Sequence, residues 1–365
     1  MPELSADVTG TPWRRDPAVL AKGLAAWAQH AIGTDAVISD FAAPDNGMSS
    51  ETVLFTVQQG ATATRYVARL APEATVIPVF PEYDLALQCE AMRTVARHTS
   101  VPVPSTPFYE TDERWLGSPF LVMGRVDGRV PTDNPPYVFG GWLMDATPDE
   151  RRHLQDASVE VLAKLHRITP STHDLAFLER PQFGVSALDQ HLGYQRYYYE
   201  WAREGGEYPL IERTFEWLDA RRPTEGATVL NWGDGRIGNM MFDGFDPVAV
   251  LDWEMAAVGP VEIDLAWMIF LHRFFQDLAE RLTMPGLSDF MTRDDVVATY
   301  ERLTGHTVEA LEWFEVFAAL RFAIVSVRTT VRGVAYGQQE PPNEPDDVVM
   351  FRALLEEMLT GTYWK

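Results

Sequence analysis

The chain has 365 residues, 46% of them hydrophobic and 23% charged, with a formal net charge of −23 and one cysteine, Cys89. That length calls for two domains or one large domain with two lobes. The charge argues against nucleic acid or an anionic membrane as a partner of the surface as a whole, and the lone cysteine excludes a disulfide framework and a cysteine zinc site. No apolar run is long enough to span a membrane and the first residues have no signal-peptide core, so a cytoplasmic protein without a membrane partner is expected.

In chain order, residues 15–32 read as a helix with Val19, Leu20, Leu24 and Trp27 on one side. "DAVISDF" and "ETVLFTV" read as strands across the turn-rich "AAPDNGMSS", and "TRYVARLAP" as a third strand ending at Pro72. "YDLALQCEAMRTVARH" reads as a helix facing inward through Leu85, Cys89, Met92 and Ala96. "VPVPSTPFYE" is extended, and "SPFLVMGRVDG" is an apolar strand running into a glycine turn. The character then changes. "TPDERRHLQDASVEVLAKLHRI" opens on a capping-box pattern, Thr147 with Glu150 three residues on. Helical stretches follow at "PLIERTFEWLDARR", "RDDVVATYERLTG" and "WFEVFAALRFAIVSVRTTVRG", interrupted by a strand-rich island at 227–254. The expectation is an α+β chain with a strand-rich N-terminal lobe over 1–123, a link at 124–128 and a mostly helical C-terminal lobe over 129–365.

Within the island lies "GDGRIG", residues 233–238. Its Gly-x-Gly-x-x-Gly spacing matches a dinucleotide-binding turn, which needs a helix opening at the third glycine. Here "NMMFDGFDPVAVLDW" follows, and Asp243-Gly244 and Asp246-Pro247 break any helix. A strand–turn–strand reading fits better. A hairpin centred between Phe245 and Asp246 sets Asn239 opposite Asp252, so that an amide oxygen and a carboxylate converge near Asp234. Oxygen ligands of this kind suit Mg²⁺.

Asp234 followed by Asn239 five residues on resembles the protein-kinase catalytic loop, and Asp252 stands where the kinase metal-binding Asp would follow the hairpin. The stretch from "VLNWGDGRIGN" to "EIDLAWMIF", with "GMSSETV", "PVFPEY", "SVPVP", "LQDASVEVLAKLH" and "AVLDWEM", resembles the aminoglycoside phosphotransferase-like family of small-molecule kinases, in its actinobacterial branch, over roughly residues 35–360. The resemblance implies a two-lobed protein-kinase-like fold and an ATP- and Mg²⁺-dependent transfer of the γ-phosphoryl group to a hydroxyl of a small molecule. Residue by residue, it implies that Asp234 is the catalytic base or orients the acceptor hydroxyl. Arg236 then touches the transferred phosphoryl, and Asn239 and Asp252 hold Mg²⁺. Gly47, Ser49 and Ser50 would cover the ATP phosphates, and Arg69 would stand where Lys is usual, paired with Glu90. Met123 would open the hinge, with the Gly124 and Val126 backbones reading the adenine.

Three positions depart from the family pattern: Trp232 replaces the His before Gly-Asp, Arg69 replaces Lys, and the phosphate loop keeps only Gly47. They motivate an alternative, a nucleotide-binding pseudokinase or scaffold. The acceptor is open. The acidic excess suits a polycation such as an aminoglycoside, and the family also implies other alcohols, including sugars and hydroxyacyl-CoA thioesters. Of the remaining polar residues, Asp264 reads as a buried loop anchor, His166 as a packed helix residue, and Trp267 and Met268 as core. The eight histidines show no metal-ligand spacing.

Overall fold

A computed structural model describes residues 14–44, 50–73 and 76–364. The chain is α+β, and its described residues fall into two compact units that are not continuous halves of the sequence. The first takes in Met1–Cys89, Ser105–Arg125 and Thr329–Glu340, and the second Glu90–Pro104, Val126–Arg328 and Pro341–Lys365.

The first unit begins with α1 (Pro17–Ala31), capped by the Asp16 carboxylate on the Ala18 amide at 2.8 Å. Leu20, Leu24 and Trp27 are buried, whereas Val19, expected on the same face, is 61% exposed. At 100° per residue Val19 sits beside the seam rather than on it. Then come β1 (Val37–Ala42), β2 (Glu51–Gln59) and β3 (Thr62–Leu70). The helix α2 (Leu85–His98) passes from the first unit into the second, and β4 (Phe108–Glu110) and β5 (Phe120–Gly124) complete an antiparallel sheet in the order β1-β2-β3-β5-β4. In α2, Val95 rather than Ala96 is buried, so its inward face turns one residue earlier than expected.

The core of this unit is the inner face of the sheet closed by α1. Val53, Phe55 and Val57 alternate inward along β2, and Trp27 meets Phe55, Phe108 and Phe120 edge-on at 6.5, 5.2 and 5.4 Å between ring centroids. A buried ion pair ties the helix entrance to the sheet, Arg15 donating to Glu51 at 2.7 Å and also to the Ala71 carbonyl and the Ser118 hydroxyl. Both terminal nitrogens of this guanidinium thus meet an oxygen, while its Nε lies 3.6 Å from the Glu73 carboxylate.

The second unit is mostly helical. Its α3 (Pro148–Leu165) begins with the expected capping box: the Glu150 amide donates to the Thr147 hydroxyl at 3.3 Å and the Thr147 amide to the Glu150 carboxylate at 2.8 Å. There follow α4 (Ala187–Arg203), α5 (Pro209–Ala220), β6 (Thr228–Asn231), β7 (Met240–Asp243), β8 (Asp246–Val250), β9 (Ala257–Pro260), α6 (Glu262–Arg281), α7 (Arg293–Thr304), α8 (Leu311–Ala335) and α9 (Arg352–Thr360). The last turns of α8 belong to the first unit. Strand β6 pairs with β9 and β7 with β8, both antiparallel. The first eleven residues of α6 are all buried, so this helix runs through the core of the unit.

Candidate active site

The loop between β6 and β7 holds the acid expected to do chemistry. Gly233 adopts a φ of +87°, and a Cβ there would collide with the Met255 carbonyl, so only glycine admits this turn. The start of the loop hangs from Asp264 near the N-terminal end of α6. One Asp264 oxygen accepts from the Gly233 amide at 2.8 Å, and the other from the Trp232 amide at 2.8 Å while lying 3.1 Å from His166 Nε2. His166 Nδ1 in turn lies 2.8 Å from the Tyr300 hydroxyl, whose pKa is pushed up by burial and then by the Glu262 and Asp264 charges. Asp264 is the loop anchor the sequence suggested, and His166 is packed against it.

Trp232 is fully buried. Its indole donates to the Leu251 carbonyl at 2.8 Å, and its ring lies 6.0 Å from Trp253. The side chain at this departure from the family pattern therefore ties the loop to the end of the hairpin.

Asp234 is buried and its carboxylate is held by three donors. Oδ1 accepts from Trp267 Nε1 at 2.6 Å and from Arg236 Nε at 3.1 Å, and Oδ2 accepts from Asn239 Nδ2 at 2.7 Å. Asn239 Nδ2 also reaches the Asp234 carbonyl at 3.2 Å. Arg236 is clamped on its far side by Asp133, 2.5 Å from its Nη1. Burial alone would lower the Arg236 pKa, but the charges of Asp234, Asp133 and Asp252 outweigh it and hold the guanidinium above its ordinary value.

Two expectations need correction. The β7–β8 register pairs Met240 with Val250 and Asp243 with Asp246, around a two-residue loop at Gly244-Phe245 with an irregularity between Met241 and Phe242. The turn is thus centred one residue earlier than expected, and Asn239 lies opposite Leu251, whose amide donates to its carbonyl at 2.9 Å. Asp252 is the next residue along, turned by a φ of +58° that Asp tolerates better than most side chains. Trp267, expected to be plain core, is buried but spends its one donor on Asp234. Asp133 and Arg321 were not singled out from the sequence at all. Arg321 on α8 donates to the Gly233 carbonyl at 2.7 Å and lies 4.3 Å from the centre of a Trp267 ring. Burial lowers its pKa to about 10, with Asp264 and Asp234 opposing the shift.

The residues expected to bind nucleotide are spread over both units. Gly47 and Ser49 lie outside the described residues. Ser50 is buried just before β2. Arg69, on β3, stands between Thr52 of β2 and Leu121 of β5, while Glu90 is on α2 in the second unit. Met123, on β5, pairs with Val67 of β3. The Gly124 amide donates to the Ser105 carbonyl at 2.9 Å, and Val126 begins the next stretch of the second unit.

A glycine-shaped loop thus presents a held carboxylate beside a clamped arginine, carried by an α+β chain. The chain belongs to the phosphotransferase enzyme family, whose profile matches residues 40–310. Among solved structures it is similar to one from Ralstonia eutropha assigned to the aminoglycoside phosphotransferases, at 22% identity and a TM-score of 0.64 over 94% of this chain and 97% of that one. It is also similar to aminoglycoside phosphotransferase APH(4)-Ia solved with AMP-PNP and hygromycin B, at 14% identity and a TM-score of 0.57 over 94% of this chain and 100% of that one. These likenesses concern the fold.

Among curated proteins it matches the Arabidopsis thaliana "Probable acyl-CoA dehydrogenase IBR3", 25% identical over 301 residues, and human "Acyl-CoA dehydrogenase family member 11", 28% identical over 211 residues. The matches cover 78% and 55% of this chain but only 35% and 24% of those longer proteins. Among the described residues no helix is long and apolar enough to cross a membrane.

Proposed function

We propose that the protein transfers the γ-phosphoryl group of ATP to a hydroxyl of a small molecule, with Asp234 as the group that receives the hydroxyl proton. The observation that carries this reading is the buried Asp234 carboxylate, fixed by Trp267, Asn239 and Arg236 yet accepting hydrogen bonds at fewer sites than it has. Phosphoryl transfer asks the protein for position and charge neutralisation more than covalent help. Arg236 supplies a cation that stays charged across the accessible pH range, and displacement of Asp133 from its Nη1 would free it for a phosphoryl oxygen.

Asn239 and Asp252 fit a magnesium site. The Asn239 side-chain nitrogen is committed to Asp234, so the side-chain oxygen, Oδ1, is the atom left for a hard cation, and the Asp252 charge is felt at Arg236 in the same neighbourhood. When bound, Mg²⁺ supplies neutralisation of phosphate charge.

Gly47, Ser49, Ser50 and Arg69 are assigned to the ATP phosphates, Glu90 to the partner of Arg69, and Met123, Gly124 and Val126 to the adenine. Because the Gly124 amide already serves Ser105, its carbonyl is the group assigned to the base.

For the acceptor, the names of the curated relatives support a hydroxyacyl-CoA thioester ahead of an aminoglycoside or a sugar. The test is ATP turnover with Mg²⁺ across hydroxyacyl-CoA esters, aminoglycosides, sugars and simple alcohols, with Asp234→Asn alongside. Acceptor-dependent turnover that falls at least about 10³-fold in the variant, with ATP still bound, is expected. ATP binding without turnover on any acceptor would favour the pseudokinase, and full activity in Asp234→Asn would remove Asp234 from its role.

A further inference from the structure

We infer that Trp267 is a positioning residue for the transfer step, and that its indole N–H commits the acceptor hydroxyl to one oxygen of Asp234, Oδ2. The inference rests on the kinase reading above. A carboxylate has about four acceptor sites, two on each oxygen. Both sites on Oδ1 are taken, one by Trp267 Nε1 at 2.6 Å and one by Arg236 Nε at 3.1 Å. On Oδ2 only one is taken, by Asn239 Nδ2 at 2.7 Å. The remaining site on Oδ2 is the one that can receive a new donor. The acceptor O–H therefore hydrogen-bonds there, and its proton passes to Oδ2 as the O–P bond forms and the bond to the leaving nucleoside diphosphate breaks.

Trp267 suits this task because it cannot do anything else with its polar atom. The indole nitrogen is a donor only, so it cannot rotate to accept and release the carboxylate. The ring is 3% exposed and is braced by the Arg321 guanidinium 4.3 Å from its centre, while Arg321 also donates to the Gly233 carbonyl one residue before Asp234. A cation on α8, an indole on α6 and a carboxylate on the loop are thus stacked in sequence. The Arg236 bond to the same oxygen is longer, and that guanidinium is also drawn to Asp133 through its Nη1, so the indole is the firmer of the two constraints.

The test is Trp267→Phe, which keeps a ring and removes the N–H. Trp313→Phe serves as the control, since Trp313 is also buried and donates its indole proton, to the Leu218 carbonyl at 2.9 Å, away from the loop. Trp267→Phe is expected to lower kcat by about 10- to 100-fold, as misplacement of a catalytic group by up to an ångström does, with the KM for ATP changed less than about twofold. Trp313→Phe is expected to lower the melting temperature comparably and leave kcat within about twofold. Adding Trp267→Phe to Asp234→Asn should cost nothing further, because the indole acts through that carboxylate. Wild-type kcat in Trp267→Phe, or a full additional loss in the double variant, would overturn the inference.

If the wild-type protein transfers phosphate to no acceptor, the kinase reading fails separately, and the inference is judged on the Trp267 indole N–H resonance, identified by its disappearance in Trp267→Phe. A marked shift of that resonance in Asp234→Asn supports the coupling between the two side chains. A resonance unmoved by that substitution refutes it.

Discussion

In the first unit Trp27 is held by the edges of three aromatic rings, whereas in the second the Gly233–Asn239 loop is held by hydrogen bonds to groups far away in sequence: Asp264, Trp267 and Arg321. Apolar contact is graded and non-directional, so the sheet core can relax around a modest change. The loop has no such latitude. Asp264 alone serves two consecutive amides and lies against His166, and a lost acceptor strands buried donors that water cannot reach. The sheet supplies bulk stability, while the loop spends polar order on the placing of one carboxylate.

The largest effects should separate the two regions. Trp27→Ala is expected to cost about 3–5 kcal/mol, the usual range for emptying a large aromatic site, and to lower the melting temperature while turnover per folded molecule stays within about threefold. Asp264→Ala is expected to cost a similar 3–5 kcal/mol as the price of uncompensated buried partners, and in addition to reduce turnover at least about 100-fold at temperatures where circular dichroism still reports a folded chain. Equal turnover losses in the two variants would erase the distinction between a bulk core and an ordering anchor.

Smaller effects follow from buried histidines of the second unit. Burial lowers the pKa of His191 to about 3, assisted by the Arg321 charge, and that of His272 to about 4. Both folded values lie below the unfolded value of about 6.5. The unfolded chain therefore binds more protons below pH 6.5, and stability present above that pH is lost as the pH falls toward 4, by up to about 1.4 kcal/mol per pH unit for each histidine. Urea unfolding at pH 7 and pH 5 measures the slope, and His272→Gln should remove about one proton from the uptake. The same slope in that variant would mean that His272 is already protonated in the folded state.

These contrasts also explain what could be read from the sequence. The strands of the first unit announce themselves because one face is buried, and Val53, Phe55 and Val57 alternate inward. Asp234, Arg236 and Asn239 are legible as a local motif, and the structure brings them within hydrogen-bonding distance of one another. The hairpin register was missed by one residue because "DGFDP" offers two centres for its turn, and only the observed pairing chooses Gly244-Phe245. Trp267 carried no signal. An indole at a helical core position looks like packing, and nothing local says that its N–H points at a loop 33 residues earlier. Asp133 and Arg321 were hidden for the same reason, since their partners are 103 and 88 residues away.

The start of α3 offers the smallest effect. Thr147 and Glu150 satisfy each other's amides in the exposed first turn, and the Glu150 carboxyl is held below its usual range by the Thr147 amide and hydroxyl. Thr147→Ala removes the hydroxyl that caps the Glu150 amide, which typically costs about 1 kcal/mol. The part of the loss that comes from the hydroxyl's own bond to the Glu150 carboxylate should be full at neutral pH and should shrink as the pH falls through the Glu150 titration, because a carboxyl with a lowered folded pKa contributes stability only while it is ionised. Asp264→Ala should show no such recovery in acid, since it leaves the Trp232 and Gly233 amides stranded at any pH. Measuring both variants at pH 7 and pH 4 then distinguishes a surface cap, whose amides water can reach once the carboxylate is protonated, from a buried anchor, whose amides it cannot.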